Sequence, residues 1–306
     1  MKILFLSNYY THHQQPLCEA LDVLTDHQFT FVSTEVFPQD RRKLGWAVYT
    51  DVPFVREYED MIRENGNAIL DADVVILPLP LCKEDSMLNC ESSLLPTIEL
   101  FRQLRPEQII LAGQVKNTQQ KEAAVCGLRL HDYFLREELI VANAAATAEG
   151  AIQVALEQLD RSLLGMDCLV LGFGRIGKLL CHRLHGLGAR VTATARKPED
   201  LAWIRAYGWH AKETEKLDGM LSSYETVFNT VPSLILDRQL LQQLPADCLC
   251  VDLASVQGID QVAAEDLGLR AVWARSLPGR LMPCTAAAVI RDAAYYILME
   301  ERGDPA

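Results

Sequence analysis

Asp167-Cys168-Leu169-Val170-Leu171-Gly172-Phe173-Gly174-Arg175-Ile176-Gly177-Lys178-Leu179-Leu180-Cys181-His182-Arg183-Leu184 runs from an apolar strand through Gly-x-Gly-x-x-Gly into helical periodicity. This is the pattern of a dinucleotide-binding turn. Gly172 permits the tight turn, Gly174 lets the backbone approach a pyrophosphate, and Gly177 lets the new helix lie close on its strand, its N-terminus facing the phosphates. Phe173, Arg175 and Ile176 fill the turn between the glycines. An amphipathic helix over 178–187, the Gly186-Leu187-Gly188 break and a second strand over 190–195 supply the strand-turn-helix-strand context that a lone glycine triplet lacks.

The acid that hydrogen-bonds the ribose of NAD in such folds stands about twenty residues beyond the last glycine, at the end of the second strand. Here that place is Ala195, and no carboxylate occurs between Gly177 and Lys197. The strand ends instead in Ala195-Arg196-Lys197, and two cations suit a 2′-phosphate better than a free hydroxyl. NADP is therefore expected ahead of NAD. The alternative is that Arg196 and Lys197 are solvated turn residues, with Glu199 or Asp200 reaching the ribose.

At 306 residues, 49% of them apolar, the chain is long enough for two domains with separate cores. No run of some twenty apolar residues reads as a membrane span, and the opening Met1-Lys2-Ile3-Leu4-Phe5-Leu6-Ser7 is too short for a signal peptide, so a cytoplasmic protein is expected. Nine cysteines without paired spacing, several of them inside apolar strands (Cys168, Cys248, Cys250), read as small core hydrophobes rather than metal ligands, and no metal is expected. A net charge of −12 argues against nucleic acid and against an anionic membrane surface.

From the N-terminus, strands over 2–6, 28–33, 73–78 and 108–113 alternate with helices over 15–24, 57–67, 95–104 and 121–127, which predicts a parallel α/β sheet. A helix starting near Thr147 leads into the glycine turn. Beyond Lys197, strands over 226–230, 248–253 and 271–273 and helices over 201–207 and 238–243 complete a doubly wound domain. The expected architecture is α/β with two Rossmann-like domains, an N-terminal substrate domain over 1–145 and an NAD(P)-binding domain over 146–285. A last helix over 286–306 is expected to return to the first domain, with the substrate cleft between the two.

In a nucleotide fold the loops after the fourth and fifth strands border the nicotinamide half of the cofactor, which makes Thr230-Val231-Pro232-Ser233 and Leu253-Ala254-Ser255 the expected contacts. Thr230 and Ser233 serve equally well as loop caps. Thr147 and Glu149 suit a helix start, as hydroxyl cap and dipole-favoured carboxylate. His12 and His13 follow the first strand, where ligands gather in such sheets, although a surface loop is the plainer reading; Gly113 and Lys116 follow the strand over 108–112 in the same way.

Four further motifs, Asn143-Ala-Ala-Ala-Thr147-Ala-Glu149-Gly150, Phe228-Asn229-Thr230-Val231-Pro232-Ser233, Val251-Asp252-Leu253-Ala254-Ser255 and Leu277-Pro278-Gly279-Arg280-Leu-Met-Pro283-Cys284-Thr285-Ala286, join the glycine turn in their order and spacing. Over residues 75 to 306 the chain resembles the A subunit of dipicolinate synthase, the NAD(P)-dependent enzyme of bacterial spore formation. The resemblance implies oxidation of a cyclic dihydrodipicolinate-type dicarboxylate to dipicolinate, partnership with a B subunit, and self-association. It departs from the family at Val256-Gln257-Gly258, where a basic, glycine-rich segment is usual, and at Cys284, where a lysine is usual. Residues 1–75, with His12-His13 and Arg41-Arg42-Lys43-Leu44-Gly45-Trp46, look more like the N-terminal lobe of a bacterial glycosyltransferase.

On that resemblance Glu149 becomes a candidate proton acceptor and Thr147 a hydrogen-bond donor to a substrate carboxylate. Arg280 is the candidate carboxylate clamp, with Arg275 second, because a guanidinium binds a carboxylate through two parallel hydrogen bonds; a solvated Arg280 is the plain alternative. Two other functions stay open. A cofactor-binding sensor that has lost its chemistry fits the altered loops, and a 2-hydroxyacid dehydrogenase shares the layout but would want a histidine after a late strand, where His182, His185 and His210 do not fall.

Overall fold

The computed structural model describes residues 1–7, 14–25, 28–33, 55–57, 71–83, 86–89 and 95–303. His12, His13, the Arg41 to Trp46 segment and all of the expected 57–67 helix except Glu57 lie outside these residues. The chain divides into two units, one made of Met1–Ile140 with the chain from Pro283 onward, the other of Val141–Met282.

The first unit holds β1 (Lys2–Ser7), α1 (Gln15–Asp22), β2 (Gln28–Ser33), β3 (Val55–Glu57), β4 (Val74–Ile76), α2 (Thr97–Phe101), β5 (Ile109–Ala112), α3 (Asn117–Val125) and β6 (Arg129–Asp132). Its strands lie in the order β3-β2-β1-β4-β5-β6 and every pair is parallel. Such a sheet is covered on both faces, so its inner strands, unlike the more polar edge strands, read as apolar runs rather than alternating. β1 shows this, with Ile3, Leu4, Phe5 and Leu6 all buried: Ile3 and Phe5 join one core cluster, Leu4 and Leu6 another.

The second unit takes most of α4 (Glu137–Gln158), then β7 (Asp167–Leu171), α5 (Arg175–Gly186), β8 (Arg190–Ala195), α6 (Pro198–Ala206), β9 (His210–Glu213), β10 (Thr226–Asn229), α7 (Arg238–Leu241), β11 (Leu249–Asp252), α8 (Gln261–Asp266), β12 (Arg270–Trp273) and α9 (Leu277–Leu281). Its order β12-β11-β10-β7-β8-β9 repeats the winding of the first sheet, again all parallel. That is the doubly wound dinucleotide order, with the chain reversing direction at β7. Cys168, Cys248 and Cys250 are fully buried in these strands, and burial pushes the Cys168 thiol up to about 12, so it stays protonated as a small apolar group.

Two boundaries differ from the sequence expectation. α4 begins at Glu137, ten residues before Thr147, because Glu137 and Glu138 supply the acidic first turn and Leu139 begins the buried stripe. α4 is also long and apolar enough to cross a membrane, with mean hydropathy 1.4, but Ala148, Ala151 and Ala155 are buried in the core of the second unit. The last helix, α10 (Pro283–Arg302), begins three residues early, so Thr285 lies inside its first turn rather than ahead of it.

α10 packs on α1 in the first unit, with Ile290, Ala293, Ala294 and Ile297 in one cluster with Phe5, Leu21 and Phe31. Its C-terminal end is tied by Arg136, whose Nη1 and Nη2 each reach Glu300 at 2.8 Å. The Arg136 guanidinium holds the Glu300 carboxyl below the ordinary carboxylate range.

Candidate functional site

The three glycines of the turn are needed for different reasons. Gly172 has φ +94°, and a Cβ there would meet Thr230 Oγ1 at 2.6 Å and Val231 Cγ2 at 2.8 Å. A Cβ on Gly177 would stand 2.2 Å from the Gly172 carbonyl oxygen, so the first turn of α5 rests directly on the turn that precedes it. Gly174 caps α5 in extended conformation and faces open space, with nothing within 4 Å of a Cβ. That opening, above the amino end of a twelve-residue helix, is the space a pyrophosphate takes in this kind of turn. Phe173 faces inward, 5% exposed, edge-on to Trp209 at 6.2 Å, and Lys178 sits 5.2 Å over its ring.

The turn is also stitched to the neighbouring strands. The Gly172 N–H donates to Thr194 Oγ1 at 3.2 Å, and the Thr214 hydroxyl donates to the same oxygen at 3.0 Å. Thr230 donates from both its backbone N–H (2.9 Å) and its hydroxyl (2.8 Å) to the Leu171 carbonyl. At the end of β8, Ala195 is buried, whereas Arg196 and Lys197 are exposed and pair with no carboxylate among the described residues. Asp200 is engaged by Lys178 at 3.9 Å.

At the ends of β10 and β11 a buried polar knot shapes the two loops. Asp252, fully buried, accepts from Asn229 Nδ2 (2.8 Å) and from the N–H groups of Ala254 (3.1 Å), Gly258 (2.7 Å) and Ile259 (3.1 Å). Asn229 in turn donates to the Val231 carbonyl and accepts from the Val231 N–H. A Cβ on Gly258 would stand 2.1 Å from Asn229 Nδ2, so the glycine of Val256-Gln257-Gly258 is a packing requirement of this knot. The knot leaves Pro232, Ser233 and Ser255 exposed at the carboxyl edge of the sheet, with Leu253 and Ala254 buried beneath.

Thr147 and Glu149 are in mid-helix, not at a helix start. The Thr147 hydroxyl donates to the Asn143 carbonyl one turn back at 2.7 Å, the usual use of a buried threonine inside a helix. Glu149 pairs with Arg183 of α5 at 2.8 Å. Arg280, on α9, is exposed and among the described residues reaches only the Arg275 carbonyl, at 3.4 Å. In the first unit, Gly113 is crowded by Leu79 and Tyr133, and the loop after it is held by Asp132, which accepts from Gln114 (3.1 Å), Val115 (2.8 Å) and Phe134 (2.9 Å). Among the described residues no group of three His, Cys, Asp or Glu side chains is placed to hold a metal ion.

Residues 138–263 match the D-isomer specific 2-hydroxyacid dehydrogenase NAD-binding domain. The chain is 31% identical over 193 residues to the A subunit of dipicolinate synthase from Bacillus subtilis, an alignment covering 63% of this chain and 65% of that relative. The solved structure of the same Bacillus subtilis protein superposes with a TM-score of 0.80 at 24% identity, over 99% of this chain and 97% of that one. The corresponding structure from Bacillus halodurans gives 0.78 at 23%, over 99% and 98%. At these identities the superpositions establish the fold: two Rossmann-like halves, the second of the NAD-binding type. The glycosyltransferase likeness of residues 1–75 finds no support among these relatives.

Several contacts that build this NAD-binding domain carry no signal of their own in the sequence. Thr214 is hidden because β9, with the polar sequence His210-Ala211-Lys212-Glu213, has no strand periodicity. Asp252 and Gly258 stand six residues apart in a loop whose closure is visible only once Asn229 is set beside them.

Proposed function

We propose that the chain is an NAD(P)-dependent oxidoreductase that removes two hydrogens from a dihydrodipicolinate-type cyclic dicarboxylate, one as hydride and one as a proton. The observation that carries the cofactor half is the contrast among the glycines: Gly172 and Gly177 are packed shut, while Gly174 opens onto free space at the head of α5. The residues fit a dinucleotide. Gly174 and the first amides of α5 would cradle the pyrophosphate, and Thr230 to Ser233 with Leu253 to Ser255 would border the nicotinamide half. When bound, the nicotinamide supplies the hydride acceptor. The chain's own work is to orient the ring that gives up the hydride and to exclude water, since aromatisation of the product provides the driving force. Glu149 is already paired with Arg183, so solvent water is the better-supported proton acceptor.

The substrate half follows from the relative's name, and so does a companion protein, because that relative is itself one component of a synthase with at least two. It is tested by following reduced-nicotinamide absorbance after adding freshly made dihydrodipicolinate precursor to the purified chain, with and without a B subunit. Growth of that absorbance supports the reading, and a flat trace under every condition sinks it. The second reading, a 2-hydroxyacid dehydrogenase, is favoured by the match over residues 138–263. Against it, His182 and His185 sit on α5 against Trp209 and His210 opens β9, so none of the second unit's histidines stands at a carboxyl strand end.

For the cofactor, the absence of an acid at Ala195 and the two uncommitted cations beside it support NADP. Replacing Arg196 and Lys197 together by alanine is expected to weaken NADP⁺ binding roughly 30-fold, about 2 kcal/mol for two charge-assisted contacts, and to leave NAD⁺ binding within about twofold. Parallel calorimetric titrations check this. Equal losses for both cofactors would return the pair to the solvated-turn reading.

A further inference from the structure

In the second unit, the residues after β12 present a guanidinium whose position is already set. The Arg275 guanidinium carbon lies 4.0 Å from the centre of the Trp273 ring, well inside the ~6 Å reach of a cation over an aromatic face. The ring is fixed in turn, because the Trp273 indole N–H donates to the Ala254 carbonyl at 2.9 Å. Arg275, Trp273 and the loop after β11 are thus one connected assembly, at the carboxyl edge where ligands of such sheets bind.

The Arg275 guanidinium also lacks a carboxylate partner among the described residues, as do Arg102, Arg105, Arg196, Arg205 and Arg270; what sets it apart is its seat on Trp273. Arg136, Arg161, Arg183, Arg190, Arg238 and Arg291 each close on a carboxylate. Arg275 is exposed, in a chain of net charge −12. Stacking occupies the flat face of a guanidinium and leaves its edge donors in the plane that a carboxylate approaches with two parallel hydrogen bonds. It also removes beforehand part of the rotamer freedom that a loose arginine loses on binding. Arg280 shares this corner through its contact with the Arg275 carbonyl and likewise pairs with no carboxylate among the described residues. Two uncommitted guanidiniums suit a ligand with two carboxylates.

We propose that Arg275, held on Trp273, is the principal carboxylate-binding residue of the second unit, with Arg280 as its companion. The proposal rests on the dicarboxylate reading of the substrate and adds the residue that recognises it. The test titrates the full chain, saturated with NADP⁺, with dipicolinate and with isophthalate, by calorimetry and tryptophan emission. It compares wild type with Arg275→Met, which keeps the length of the side chain, and Arg275→Lys, which keeps the charge. In Arg275→Met the dicarboxylates are expected to bind at least tenfold more weakly, with NADP⁺ affinity within about twofold of wild type and unfolding unchanged. Arg275→Lys recovers only part of the loss, because an ammonium cannot make the paired contact. Wild-type dicarboxylate affinity in Arg275→Met overturns the proposal, and so does failure of wild type to bind either compound. Arg275-dependent binding without oxidation of the dihydrodipicolinate precursor supports the site and sinks the substrate reading. Oxidation with Arg275-independent binding does the reverse.

Discussion

Gly177→Ala is expected to damage the fold, whereas Gly174→Ala, three residues earlier in the same motif, is expected to leave stability untouched and weaken cofactor binding. The added methyl at 177 would stand 2.2 Å from the Gly172 carbonyl oxygen, a backbone atom that moves only if β7 and α5 separate. Overpacking against backbone where α5 rests on the turn after β7 is expected to cost about 3 kcal/mol or more. At 174 the methyl meets nothing, and the extended backbone there accepts any residue, so unfolding should shift by no more than about 0.5 kcal/mol. The methyl would instead occupy the space left for the pyrophosphate. A roughly tenfold to hundredfold loss of dinucleotide affinity follows, about 1.4 to 2.8 kcal/mol. Urea unfolding and calorimetric titration of the two variants separate the effects; unchanged dinucleotide affinity in Gly174→Ala would mean that the open space there is not a binding surface.

Asp252→Ala is expected to be among the most destabilising single changes in the second unit. Its carboxylate satisfies the Asn229 amide and the N–H groups of Ala254, Gly258 and Ile259, all in a fully buried setting. Removing it strands four donors away from water, each costing about 1–3 kcal/mol when unpaired, less what water entering the cavity restores. A net loss of about 4 kcal/mol is expected, seen as a lower urea midpoint. Asp252→Asn should fall in between, because one oxygen survives while the new amide faces donors. Cofactor affinity should fall in both variants, since the Thr230 and Ala254 loops lose the knot that shapes them.

The decisive element of the fold is legible in the sequence because its requirements are local. Strand, glycines, helix and second strand fall within thirty residues, and the close packing at Gly172 and Gly177 can be read from spacing alone. Legibility fails where a structure depends on partners distant in sequence. β6 and β9 are polar edge strands whose only strand-like property is the neighbour they pair with, Ile109–Ala112 in one case and β8 in the other. α4 starts ten residues ahead of its expected place because the Thr147-x-Glu149 pair looks like a cap, while the acidic residues that open the helix stand before an apolar stretch that reads equally well as buried loop.

The candidate site divides along the same line. The glycine turn and the cationic end of β8 follow from residue type at fixed spacing, as do the loops after β10 and β11. The relative standing of Arg275 and Arg280 does not, because it turns on a ring contact at 4.0 Å between residues whose side chains the sequence cannot place against each other. Thr147 and Glu149 stand out in the sequence as a pair, yet the helix commits the first to its own backbone and the second to Arg183.

Whether the second unit holds a nicotinamide dinucleotide across the glycine turn decides every other functional assignment. Calorimetric titration of the full chain with NADP⁺ and with NAD⁺ tests this most directly. Saturable binding of one dinucleotide per chain, tighter for NADP⁺ than for NAD⁺, is the predicted result. No heat with either dinucleotide, from protein shown to be folded, would contradict it.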